Sequence, residues 1–155
     1  MREHNAIYGG ELSSHHFFGD FFYCDSGMFA WLKMLEVIDY AGMSITELIE
    51  SRRRAICCTP EINLALGDTD AAFEAIADRY LPAAVSFDTF DGPSFEMPDG
   101  WRFSLRRSKT EALVRINFEA RGNRDLLLNK AAAVLKCLEP FLQEPQDATR
   151  DLYIQ

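Results

Sequence analysis

From Trp101 to Arg106 apolar and polar residues alternate one for one: Trp101, Phe103 and Leu105 against Arg102, Ser104 and Arg106. Only an extended strand has a side-chain period of two, so this stretch must lie in a sheet with one buried face and one wet face. Val114, Ile116 and Phe118 keep the same period. Turn residues separate further strand candidates: Asp91-Gly92 lies between 85–90 and 94–97, and Pro98-Asp99-Gly100 precedes Trp101. That spacing predicts an antiparallel meander. A strand over 55–66 is interrupted by Pro60, which has no N–H for a ladder. A helix over 70–81 puts Phe73, Ile76, Ala77 and Tyr80 on one face before Pro82 stops it. Gly122-Asn123 opens another, with Leu127, Ala131, Val134, Leu135 and Leu138 inward. The expectation over 55–143 is a compact α+β unit, a four-stranded antiparallel sheet with two helices.

The first third has a different texture. Residues 5–8 read as a short strand running into Gly9-Gly10, a pair that lets the backbone turn tightly or approach a ligand. Phe17, Phe18, Phe21, Phe22 and Tyr23 crowd around Gly19-Asp20 and read as core packing. Asp25-Ser26 caps a helix over 27–41, apolar on nearly every side, which Gly42 ends. Such a helix wants burial all round. Ser44-Ile45-Thr46-Glu47 has capping-box spacing and opens a second helix. Arg52-Arg53-Arg54 closes it, where three cations complement the helix dipole. A domain boundary is expected there, with 1–54 forming the strand-and-two-helix end of an α/β domain. Residues 144–155 read as a polar tail.

With 155 residues and 48% apolar content the chain has enough hydrophobe for one ordinary domain or two small ones. Its net charge of −8 argues against nucleic acid as a partner, because such binding relies on many cations neutralising phosphates. The longest apolar run, near 28–38, is too short to span a bilayer and contains Lys33 and Glu36, and no secretory leader is evident. Cys24, Cys57, Cys58 and Cys137 lack the spacing of a disulfide framework, so a cytoplasmic location is expected. Cys57 and Cys58, adjacent in a strand, point to opposite faces and do not jointly grip a metal.

Two loops carry chemistry. Arg102, Arg106, Arg107, Lys109, Arg115 and Arg121 face only Glu111 and Glu119 within 102–121, a local excess of four positive charges in an acidic chain. Inside it, Arg106-Arg107-Ser108-Lys109-Thr110 joins two strands through guanidinium groups, hydroxyls and backbone N–H donors, which is what a phosphate needs. On composition alone a solvated basic hairpin fits equally well. The loop Gly9-Gly10-Glu11-Leu12-Ser13-Ser14-His15-His16 offers a carboxylate, hydroxyls and imidazoles, the mixture that a polyhydroxy ligand requires. Neighbouring His15 and His16 diverge in direction and lack a third ligand, which disfavours zinc.

The two loops together carry a resemblance. Gly9-Gly10-Glu11-Leu12-Ser13-Ser14-His15-His16, followed by Tyr23-Cys24-Asp25-Ser26-Gly27, resembles the sugar-recognition loop G-E-M-S-(G/A)-H of the phosphohexomutase superfamily. Arg106-Arg107-Ser108-Lys109-Thr110-Glu111, with Arg115 and Glu119 downstream, resembles that superfamily's C-terminal phosphate loop, R-(P/S)-S-(G/N)-T-E-P. Order and separation agree, and the paired histidines with the Tyr23-Cys24-Asp25-Ser26-Gly27 stretch favour the phosphomannomutase branch. Leu12, Lys109 and Ala112 depart from the pattern at Met, Gly or Asn, and Pro.

The resemblance implies interconversion of hexose 1-phosphate and 6-phosphate, with mannose or glucose phosphate as substrate, run by a phosphoserine and a magnesium ion. It implies that residues 1–54 are the C-terminal portion of a third, sugar-recognition domain. Residues 55–143 would then be the fourth, phosphate-binding domain, whose fold is TATA-box-binding-protein-like. Glu11, Ser13 and His15 match sugar-binding positions, and Arg106, Ser108, Lys109 and Thr110 match phosphate-binding positions. The serine loop and the D-x-D-x-D metal loop are not in this chain. The expectation is therefore a binding portion with no catalytic residue, no cofactor of its own and no activity alone. The alternative is a stand-alone phosphosugar-binding or regulatory module. An incomplete first part leaves apolar helix surface uncovered, so self-association is expected.

Overall fold

The computed structural model describes residues 1–11 and 13–144, and among them the chain forms four α-helices and two antiparallel sheets. Beyond Glu144, the expected polar tail lies outside the described residues. The chain divides into two compact units, Met1–Glu50 and a larger one from Ser51 onward.

In the first unit β1 (Tyr8–Gly10), β2 (His16–Phe18) and β3 (Cys24–Asp25) form a small meander in that order. One strand is expected here from sequence, ending at the glycine pair, and that expectation is corrected to three. Gly9 and Gly10 pair with Phe17 and His16 inside the ladder. Glycines carry no side-chain alternation, so the period that marks a strand is invisible at that point. Phe18 is buried and meets Phe29 edge-on at 4.7 Å, while Phe21 stacks on Phe29 at 5.3 Å. Phe22, expected in the same core, is 79% exposed.

Helix α1 (Gly27–Ala41) spans the predicted residues. Ser26, not Asp25, caps it: the Phe29 N–H donates to Ser26 Oγ at 3.1 Å. Gly42, at φ 61°, ends it by donating its N–H to the Ile38 carbonyl. Trp31 and Tyr40 are 59% and 94% exposed, so the apolar sides that the sequence gives this helix stand uncovered. Helix α2 (Ile45–Ala55) opens with the reciprocal box: Ser44 N–H donates to Glu47 Oε2 at 2.8 Å, and Glu47 N–H to Ser44 Oγ at 3.3 Å.

The second unit is built on a sheet of β4 (Ile56–Cys58), β5 (Ile62–Leu64), β6 (Ser86–Asp88), β7 (Ser94–Met97), β8 (Trp101–Arg107) and β9 (Val114–Arg121). The order is β4-β9-β8-β7-β6, with β5 also on β9. The four-stranded expectation undercounts. Segments β4 and β5 are two halves of one strand broken near Pro60, and β6, read from sequence as a strand over 85–90, is the fifth position in the sheet order. The predicted helices are α3 (Thr69–Tyr80), capped by Asp68, and α4 (Arg124–Leu138), capped by Asn123.

Alternation along β7, β8 and β9 sends Phe95, Phe103 and Phe118 to one face, where register places them side by side. Phe95 and Phe103 stack at 4.7 Å, and Tyr80 of α3 meets Phe103 edge-on at 5.1 Å. From α4, Leu127, Ala131, Val134, Leu135 and Leu138 complete this core, the five residues that the helical period picks out. The other face of the sheet carries the polar set, including the cross-strand pair Arg102–Glu119, Nε to Oε2 at 2.8 Å.

The break at Pro60 has a defined geometry. Cys58 pairs with Glu119 and Ile62 with Ile116, so Thr59, Pro60 and Glu61 oppose only Phe118 and Asn117. One extra residue is a β-bulge, and it resets the alternation. Cys57 packs toward the core, and unbroken alternation would send Glu61 there too. With the bulge, Ile62 takes the core position and Glu61 comes out onto the polar face.

Gly92 sits in the β6–β7 turn at φ 120°, where an added Cβ would lie 2.2 Å from the Leu105 carbonyl oxygen. Gly67 has no such neighbour, its nearest being 3.8 Å away. Gly92→Ala is expected to lose about 1–3 kcal/mol in urea unfolding, and Gly67→Ala to stay within about 1 kcal/mol of the parent.

Candidate functional site

The β1–β2 connection is closed by backbone bonds from Glu11 N–H to the His15 carbonyl and from Ser14 N–H to the Glu11 carbonyl, both 3.0 Å. Ser14 has φ 64°. Leu12 lies outside the described residues. Within this turn the Ser13 hydroxyl donates to Glu11 Oε2 at 2.9 Å, so two of the predicted sugar-binding groups meet. One Glu11 oxygen is thereby engaged, and the pair presents a joined acceptor and hydroxyl.

His15 is held from outside the turn. Its Nδ1 lies 2.7 Å from Asp25 Oδ2, and the His16 N–H donates to Asp25 Oδ1 at 2.8 Å. Strand pairing sets up both contacts, because Asp25 sits opposite Phe17 on β3. The hydrogen bond and charge of Asp25 raise the His15 pKa above 6.5, and the bond from His15, with that from the His16 N–H, holds the Asp25 carboxyl below 3.8. The pair thus contributes fully to stability between pH 3.8 and 6.5. Its contribution fades as pH rises through the folded His15 value, or falls through that of Asp25. His16 turns elsewhere, its Nδ1 bonded to the Tyr8 hydroxyl at 2.7 Å.

In the second unit the strand period separates the adjacent arginines. Arg107 leaves toward α3, pairs with Asp70 and lies over the Phe73 ring at 5.2 Å. Arg106 stays on the polar face, directly opposite Arg115 of β9. Like charges facing each other across a ladder repel, and Glu61 relieves this by approaching both, at 3.5 Å and 3.4 Å. Arg115 also meets Glu111 at 3.3 Å, and its Nε is buried without an acceptor among the described residues. Arg106 reaches Asp91 at 3.7 Å. Both Arg106 contacts are long beside the 2.7–2.9 Å of a tight charge-assisted bond, so its donors are held loosely.

The β8–β9 hairpin then turns over Ser108, whose N–H donates to the Leu113 carbonyl at 2.8 Å. Its hydroxyl accepts weakly from the N–H groups of Thr110 and Glu111, at 3.4 Å and 3.3 Å. Those two donors, with the hydroxyls of Ser108 and Thr110, are collected at one tip. Lys109 is exposed there, with no carboxylate partner among the described residues.

The positive excess read from the sequence is largely met in the fold. Arg102, Arg106, Arg107, Arg115 and Arg121 each lie within 4 Å of a carboxylate, several from distant segments: Glu61, Asp70, Asp91 and Glu96. Sequence reading misses Glu61, Asp91 and Asp25 as members of these clusters. Pro60 marks the bulge that aims Glu61, whereas Asp25, read as part of a helix cap and of the Tyr23-Cys24-Asp25-Ser26-Gly27 stretch, gives no local sign that it meets His15.

Residues 1–55 match the family described as phosphoglucomutase/phosphomannomutase, alpha/beta/alpha domain III. A phosphomannomutase of Escherichia coli is 45% identical over 139 residues, covering 90% of this chain and 30% of that protein. One from Vibrio cholerae is 40% identical over 140 residues, with the same coverage. The structure is similar to that of a phosphoglucomutase/phosphomannomutase family protein from Burkholderia thailandensis, with TM-score 0.67 and 26% identity over 94% of this chain and 31% of that one. The chain belongs to the phosphoglucomutase/phosphomannomutase family. Within it, the chain corresponds to a C-terminal part of a phosphomannomutase-type protein, spanning about 30% of the length of the relatives it matches.

Glu61→Ala leaves Arg106 and Arg115 facing each other with less compensation. It is expected to destabilise the second unit by about 1 kcal/mol in urea unfolding at low salt, with the loss shrinking in 1 M salt as the repulsion is screened.

Proposed function

We propose that the chain is the phosphosugar-binding C-terminal portion of a phosphomannomutase-like enzyme, an intramolecular phosphotransferase of carbohydrate metabolism that interconverts hexose 1-phosphate and 6-phosphate. The observation that carries this reading is the β8–β9 tip, where a loosely held guanidinium adjoins two hydroxyls, two weakly engaged N–H donors and the exposed Lys109. In the proposal Arg106, Ser108, Lys109 and Thr110 hold a phosphate that is not transferred. Glu11 and Ser13 receive sugar hydroxyls, and His15 lies near the reacting end. The names of the relatives support mannose phosphate or glucose phosphate as the ligand.

The same reading takes residues 1–54 as the end of the third mutase domain and 55–143 as the fourth, with a TATA-box-binding-protein-like topology. The domain III match over 1–55 and the two helices packed on one face of an antiparallel sheet support it. A cytoplasmic location belongs to the proposal, and among the described residues no helix is long and apolar enough to cross a membrane. Magnesium, which the family implies, does not fit these residues: among those described, no group of three or more His, Cys, Asp or Glu could hold a metal ion. Phosphoryl transfer depends on a positioned nucleophile and charge stabilisation, and the chain alone is expected to show no mutase turnover.

Titration calorimetry with mannose 6-phosphate tests the assignment. Arg106→Ala should weaken binding tenfold or more, as about 1.5–3 kcal/mol is typical for a charged hydrogen bond. Unchanged affinity would remove the phosphate assignment. Sub-millimolar preference for the sugar ester over inorganic phosphate would instead favour the stand-alone binding module. Self-association is part of the proposal, supported by the exposed apolar side chains of α1. Sedimentation velocity should show a concentration-dependent species larger than one 17.6 kDa chain.

A further inference from the structure

We infer that Asp25 is a positioning residue for His15: it holds the imidazole by Nδ1 so that Nε2 faces the phosphosugar as a hydrogen-bond donor. This rests on the phosphosugar reading above. One carboxylate makes two bonds of fixed direction, from Oδ2 to His15 Nδ1 at 2.7 Å and from Oδ1 to the His16 N–H at 2.8 Å. The second bond ties the carboxylate to the backbone, so the first aims the ring rather than merely following it. Asp25 is itself fixed by the β2–β3 ladder, and the Ser26 N–H donates to the His16 carbonyl at 3.0 Å just beyond it.

The consequence for chemistry follows from the two ring nitrogens. A carboxylate that accepts from Nδ1–H selects that tautomer in the neutral ring and favours the doubly protonated form. His15 Nε2 has no partner among the described residues, and the side chain is 54% exposed. In its protonated form Nε2–H is a donor suited to an ester oxygen or a phosphate. Charged groups around the imidazole are Asp25 on β3 and Glu11 across the turn, both raising its basicity, with His16 on β2 acting on the same carboxylate.

The experiment is nitrogen-detected NMR of the His15 ring across pH, in the chain and in Asp25→Asn, paired with mannose 6-phosphate titrations of both. Asparagine keeps an oxygen for the His16 N–H, so the turn should survive, and the tautomer of the unsubstituted chain tests the assignment even if the variant does not fold. The expected results are an Nδ1–H neutral tautomer, a midpoint above 6.5, and a lower midpoint in the variant, which lacks the carboxylate's charge. Comparing the proteins at each pH cancels the ester's own ionisation near pH ~6. The variant should bind several-fold more weakly between the two midpoints, where it has lost the ring's charge, and by a smaller factor below both, where only the aim of the ring is lost.

A midpoint unchanged by the substitution would overturn the positioning role, whatever the binding. A shifted midpoint with one constant affinity ratio at every pH would show that Nε2 does not meet the ligand, and overturn the inference. Absence of ester binding in the unsubstituted chain, with the midpoint still shifted, would instead sink the phosphosugar reading and leave Asp25 holding a histidine with another purpose.

Discussion

Pairing of β8 with β9 governs the second unit. Seven register pairs fix which side chains of the two longest strands share a face. One face gains Phe103 beside Phe118 and Leu105 beside Ile116, over which the helices close. The same register forces Arg106 against Arg115 on the other. A favourable core and an unfavourable charge contact therefore come from one ladder, and the molecule resolves the second with Glu61. That carboxylate is available only because the bulge at Pro60 turns it outward. The candidate phosphate site is thus a by-product of core alternation and one irregular residue.

The smaller unit works by a similar logic with fewer means. It has a three-stranded meander of very short strands and a single well-buried aromatic, Phe18. Side-chain hydrogen bonds supply the remaining order: Ser13 to Glu11, His15 and His16 to Asp25, Tyr8 to His16. These are exposed and polar, so ionisation reaches the loop architecture directly. In the larger unit packed rings fix the core, while ion pairs through Glu61, Asp70 and Asp91 hold the arginines outside it.

Legibility of the sequence followed periodicity. The inward face of α4 and the paired faces of β8 and β9 were readable because regular alternation over six to fifteen residues leaves one consistent burial pattern. The capping box of α2 and the Asn123 cap of α4 were readable because their chemistry is local. Strands β1 to β3 were not: they are two or three residues long, and Gly9 and Gly10 erase the alternation. The same limit explains the charge estimate. A count along 102–121 sees six cations, but Glu61, Asp70, Asp91 and Glu96 arrive from other elements. Even so, the resemblance of two separated loops pointed to the family that the comparisons show, because each motif depends on residue types at fixed spacing rather than on tertiary pairing.

The bulge has a genetic corollary. Most surface connections tolerate an in-frame loss of one codon, because the flanking elements keep their own facing. Between Cys58 and Ile62 such a loss would restore strict alternation, and no substitution elsewhere in the strand would undo it. The two residues left would match Phe118 and Asn117 one for one, so Cys57 and Ile62 would both still face the core, and a Glu61 that remained would still face out. What such a loss removes is the local bend, so the length of that short stretch sets how the edge strand curves rather than which residues are buried.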